Sequence, residues 1–152
     1  MTNKQAIVSV LEDLYDNISH ESFSDLVEVL VRVTKTDIDS ALQDQAAIYA
    51  YMSMIYAKAQ DDYDSTEVAI KQYEATEHLE FKRDQFRMGF KATGADIEAH
   101  IASTPKYISL HTGMKLSKYR LNLFRKLLTA MEHRKDMLVQ LSSNRRAETK
   151  LN

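Results

Sequence analysis

The stretch KLSKYRLNLFRK, Lys115 to Lys126, places five cationic side chains in a segment that also reads as helix. On a helical wheel at about 100° per residue, Lys115, Lys118, Arg125 and Lys126 share one polar face, and Tyr119 lies at its edge. Cations along a face with an adjoining ring suit single-stranded nucleic acid, because the charges follow the phosphates and a flat ring stacks on a base. A second group, Lys82, Arg83, Arg87 and Lys91, sets Arg83, Arg87 and Lys91 at i, i+4 and i+8. Like charges at that spacing repel, so helix stability does not account for them. The competing reading is a solvated face whose charges are paired locally, Asp84 with Arg87 and Glu80 with Arg83.

Opposite the cations, Leu116, Leu121, Leu123, Phe124, Leu127, Leu128, Met131 and Leu138 fill an arc from about 80° to 240°, wider than the roughly 100° stripe of a surface helix. Such a helix needs more than one neighbour, and a single hairpin offers one. The expected remedy is packing between copies, with Arg120, Phe124, Leu127, Met131, Arg134 and Leu138 at the oligomer interface. Arg120 and Arg134 point into the arc, where an unpaired charge is costly, so they are expected to snorkel or to pair with acids, across a subunit boundary if need be.

Other chemistries fail on residue type or spacing. Cysteine is absent, which removes disulfides, thiolate nucleophiles and cysteine metal sites. None of the residues three before His20, His78, His100, His111 or His133 is acidic, so the Glu-x-x-His pairs of a carboxylate di-iron bundle do not exist. Asp62, Asp64 and Thr66 alternate as in a calcium loop, but Glu67 stands where the loop needs glycine and Tyr73 where it needs a bidentate acid. There is no Gly-rich phosphate loop, nucleophile elbow or zinc-protease motif. The chain is expected to be neither an enzyme nor a holder of cofactor or metal.

The elements that must position these residues are helices. With Gly 3 and Pro 1 in 152 residues, there is little of the punctuation that strands and tight turns need. Apolar periodicity predicts an N-terminal helical pair over about 4–18 and 22–34. A long helix follows, with Asp37 or Asp39 as its cap, an apolar stripe through Leu42, Ala46, Tyr49, Met52 or Ser53, and Tyr56, and an end at Gly89. The Asp run near residue 62 suggests a kink or a change of face. Thr93 caps a short helix to about Ala102, and Thr104 with Pro105 opens a last helix to about Ser142. The expected fold is all-α: a long antiparallel helical hairpin with a short linking helix, a core region over 37–152 and an N-terminal segment over 1–36.

Net charge is −2, but it is unevenly placed. Residues 1–36 carry three Lys/Arg against six Asp/Glu, residues 37–80 two against ten, and residues 81–152 fifteen against six. An acidic first half and a basic second half suit head-to-tail association, a polyanion held at one end, or charges that meet across a hairpin. No window approaches the roughly 18 uninterrupted apolar residues of a membrane span, so a soluble, cytoplasmic protein is expected.

The order of the second half, EHLEFKRDQFRMGFKATGADIEAHI and then TPKYISLHTGMKLSKYRLNLFRKLLTAMEHRKDMLVQLSSNRRAE, resembles the UvsY-type recombination mediators of T-even and related phages. The resemblance rests on the basic helix end, the Gly-Phe-Lys-Ala-Thr turn, the tyrosine-bearing helix entry, the Leu-rich stretch and the Arg-rich tail, over about residues 38–148. The family's Lys-Ala-Arg-Leu signature is not intact, and FKRDQFR stands in its place. The resemblance implies a non-enzymatic homo-oligomeric ring in the host cytoplasm. Such a ring would bind single-stranded DNA, the phage single-strand-binding protein and the recombinase, and load the recombinase onto covered strands. Lys82, Arg83, Arg87 and Lys91 would match the family's basic helix end, with Lys115, Lys118, Arg125 and Lys126 extending the track and Tyr119 stacking. The alternative is an oligomeric helical scaffold or assembly chaperone that does not bind DNA.

Overall fold

The structure, a computed structural model, describes residues 38 to 151 and, in the N-terminal segment, Val8, Ser9, Leu11, Glu12 and Tyr15. The expected helix over 22–34 and the cap at Asp37 lie outside the described residues. Among the described residues three helices are complete: α1 (Ile38–Arg87), α2 (Gly94–Ser103) and α3 (Pro105–Leu151). The described residues contain no strand, and the protein is all-α. No described helix is long and apolar enough to cross a membrane.

The helix ends follow from local chemistry. Asp39 sits in the first turn of α1, where its carboxylate meets the positive end of the helix dipole. α1 closes in a Schellman turn: Gly89 N–H donates to Phe86 O at 3.1 Å and Phe90 N–H to Gln85 O at 2.9 Å. Gly89 takes φ 78°, which a side chain would strain. Thr93 caps α2 in a reciprocal box, its hydroxyl accepting from Asp96 N–H while Asp96 accepts from Thr93 N–H. The Thr93 hydroxyl also donates to Asp96 Oδ2 at 2.7 Å, and this bond, followed by that from Thr93 N–H, holds the Asp96 carboxyl below its usual range. Thr104 links the next two helices, donating to Ile101 O at 2.7 Å and accepting from Tyr107 N–H at 3.3 Å, with Pro105 at the first position of α3. α3 runs past the expected end at Ser142 to Leu151. Nothing in SSNRRAETK breaks a helix, and Arg146 bonds Ser142 while Thr149 bonds back to Arg145 O.

The chain forms two compact units, one of residues 1–58 with 122–152 and the other of residues 59–121. In the first, contacts pair α1 and α3 in reverse order: Asp39 with Arg145 at 3.1 Å, Gln45 with Arg134 and with Met131 O, and Tyr49 with Glu132 at 3.0 Å. Ile38, Ala41, Gln45, Ile48, Met52 and Ile55 are buried, a 3–4 alternation that keeps one seam of α1 inward. The seam is offset from the expected stripe: Ala46 is exposed, and Leu42, Tyr49 and Tyr56 are half-buried. Opposing it are Phe124, Leu127, Met131, Arg134 and Leu138, all buried within the single chain. The wide apolar arc finds its second neighbour in the N-terminal segment, where Leu11 and Tyr15 are buried and the Tyr15 ring stacks on Phe124 at 5.7 Å. Lys58 Nζ lies 4.0 Å from the Tyr15 ring centroid, a cation–π contact, and Tyr51 donates to Glu12 at 2.7 Å.

The second unit has a thinner core, with Ala59, Ile70, Ile97, Ile101 and Leu121 as its buried apolar side chains among the described residues. Phe81 stacks on His100 at 4.4 Å, and Tyr73 donates to Thr104 Oγ1 at 2.9 Å. α1 continues as helix through Asp61, Asp62 and Asp64. What changes there is the face, because after Ala59 the seam stops and only Ile70 is buried in the rest of α1. Local bonds such as Tyr63 to Glu67 at 2.6 Å and Gln60 to Asp64 at 2.9 Å occupy the calcium-loop-like stretch.

Candidate nucleic-acid interface

All nine residues named for DNA contact, Lys82, Arg83, Arg87, Lys91, Lys115, Lys118, Tyr119, Arg125 and Lys126, are exposed. Lys82, Lys91, Lys115, Lys118, Arg125 and Lys126 make no ion pair among the described residues. Arg83 and Arg87 share one acid, Asp84, each at 4.0 Å with more than half of every side chain in solvent. Pairs of that length and exposure contribute little and are readily exchanged for another anion. The expected Glu80–Arg83 pair does not form among the described residues, although both side chains are exposed.

The two basic groups lie on different elements, the first at and just beyond the end of α1 and the second on α3. Tyr73 meets Thr104 and Tyr107 sits beside Glu74, so the start of α3 lies against the last third of α1 within the second unit. Lys82 is eight residues beyond Glu74 along α1, and Lys115 eight beyond Tyr107 along α3. At 1.5 Å per residue each group begins roughly 12 Å from that junction. Arg125 and Lys126 belong to the first unit, whereas the other seven belong to the second.

Of the residues assigned to an oligomer interface, Phe124, Leu127, Met131, Arg134 and Leu138 are already covered by the chain itself, and Arg120 is half-buried with a partner. Their burial therefore needs no second copy. Arg134 neither snorkels nor forms a contact ion pair: its guanidinium donates to Gln45 Oε1, whose amide nitrogen donates to Met131 O at 2.8 Å. Burial lowers the Arg134 pKa from its ordinary value, and the charge of Asp44 opposes that shift.

Phe86, Met88 and Phe90, among and beside the first basic group, are 83%, 67% and 70% exposed. Sequence pattern does not mark them as exposed, since large apolar residues at a helix end ordinarily fold inward. The signal lies in the turn: a Schellman motif normally packs its residue after the glycine against the last helical turn, and here that turn offers Gln85 and Asp84 to Phe90.

Among the described residues no cluster of His, Asp and Glu is arranged to hold a metal ion. A groove of about 690 Å³ in the second unit is lined by Glu74, His78, Glu98, Ile101 and Tyr107 among others, and burial with the neighbouring Glu74 raises the Tyr107 phenol. No hydrogen bond joins its histidine to its acids among the described residues. Exposed cations, six of the eight without an ion pair among the described residues, and exposed rings are groups that can contact a phosphate backbone and stack on bases. No family model, curated protein or solved structure matches the chain, so this reading rests on its own residues.

Proposed function

We propose that the protein is a non-enzymatic recombination mediator that binds single-stranded DNA through its exposed cations and loads a recombinase onto strands covered by single-strand-binding protein. The observation that carries DNA binding is the exposure of all eight proposed DNA-contact cations, six of them without an ion pair among the described residues. Had the acidic and basic halves served only to meet each other, these side chains would be paired as Arg145 is with Asp39; six of the eight make no ion pair among the described residues. Loading of a recombinase rests on the resemblance to UvsY-type mediators. In this reading α1 and α3 form a long antiparallel hairpin, and several hairpins assemble into a ring. Repeating a modest basic surface raises the local concentration of backbone contacts and tightens binding without base readout.

The rival reading, an oligomeric scaffold or assembly chaperone, predicts negligible affinity for single strands. A Lys115→Glu/Lys118→Glu variant separates the two. Mediation predicts weaker binding to labelled oligothymidylate with the sedimentation coefficient unchanged. Loss of assembly with no DNA-binding phenotype places these lysines between subunits and favours the scaffold.

A further inference from the structure

From Lys71 to Asp96 no residue is buried, yet the middle of this stretch carries Leu79, Phe86, Met88 and Phe90, each at least two-thirds exposed. Leu79, Lys82 and Phe86 follow one another at i, i+3 and i+7 on one side of α1, with Arg83 and Arg87 on the adjoining row. The Schellman turn at Gly89 then reverses the chain and sets Phe90 and Lys91 just beyond the helix end. A Cβ at Gly89 would meet nothing within 4 Å, so the turn stands open to solvent. Rings alternating with cations on an open helix end combine the two elements of sequence-tolerant single-strand binding, charge for phosphate and a flat face for bases.

We propose that Phe86 and Phe90 stack on the bases of a single strand whose phosphates are held by Lys82, Arg83, Arg87 and Lys91. This rests on the single-strand-binding reading and gives it a base-contacting surface separate from Tyr119. The occupant is a flexible strand rather than a flat anionic bilayer, because Glu80 and Asp84 stand on the same turns. A planar anionic surface would press its charge against both acids, whereas a strand sets each phosphate only where a cation stands. Met88, unbranched and polarizable, adapts to whichever base lies between the rings.

The test compares oligothymidylate with an abasic strand of equal length and charge, by fluorescence anisotropy on the full chain. The native protein is expected to bind the base-bearing strand at least tenfold more tightly. Phe86→Ala/Phe90→Ala should shrink that preference about tenfold while leaving the salt dependence unchanged, and Phe86→Tyr/Phe90→Tyr should restore it. Because the chain contains no tryptophan, Phe86→Trp gives a single reporter whose emission should be quenched by the base-bearing strand and not by the abasic one. An unchanged preference in the double alanine variant, or an unquenched Trp on a bound strand, overturns the stacking proposal while leaving single-strand binding intact. Failure of the native protein to bind either strand in low salt removes the underlying reading instead. If the double alanine variant keeps its strand preference but loses vesicles of anionic lipid, or changes sedimentation, the rings serve a membrane or a second copy and the proposal falls.

Discussion

Arg134 and Gln45 are the residues on which the first unit's interior most depends for its polar balance. Gln45 both accepts from the buried guanidinium and donates to Met131 O, while Arg134 Nε has no hydrogen-bond partner. Gln45→Ala should therefore cost about 3 kcal/mol, the scale set by stranding a buried charged donor. Gln45→Leu/Arg134→Leu should cost less than the sum of the two single changes, and a double-mutant cycle in urea measures the difference. Tyr51 offers a pH test. Its phenol is pushed up to about 12 by burial and then by its bond to Glu12. A folded pKa above the unfolded value near 10 means that this contribution is present below pH 10 and is lost as pH rises towards 12. Stability measured from pH 9 to 12 should fall less steeply in Tyr51→Phe than in the native chain.

At the scale of elements, the glycine turn and the capped linker fix where α1 stops and α2 starts. Gly89→Ala should cost about 1 kcal/mol from the left-handed φ alone, since its new methyl meets no atom, and Gly89→Asn should cost less. Thr93→Ala should cost a similar amount, about 1 kcal/mol, through the lost α2 cap. Thermal melts followed by circular dichroism read both. These ends were legible in the sequence because Gly89, Thr93, Thr104 and Pro105 act through local chemistry that needs no partner. The seam of α1 was less legible. Ala, Tyr and Met occur on several faces of that helix, so periodicity placed the stripe at Leu42, Ala46 and Tyr49, whereas packing chose Ala41, Gln45 and Ile48. The exposure of Phe86 and Phe90 was not legible either, because it depends on what the last turn of α1 does not offer them.

For the molecule as a whole, the breadth of the apolar arc on α3 was legible, but not what covers it. Tyr15 and Leu11 supply a neighbour from the same chain, a contact more than a hundred residues distant in sequence that no local pattern announces. Phe124→Ala should accordingly destabilise the single chain by about 3–5 kcal/mol, at a cost independent of protein concentration, as urea unfolding at two concentrations would register. The charge asymmetry was fully legible, and so was the division of the cations between the end of α1 and α3, whereas the exposure of each side chain depends on packing. Binding of native protein to labelled oligothymidylate across a salt series tests the central claim most directly. With four or more phosphates neutralised, the logarithm of affinity should fall with the logarithm of salt at a slope of about −3 or steeper. Absence of binding at low salt, or affinity indifferent to salt, would contradict the account.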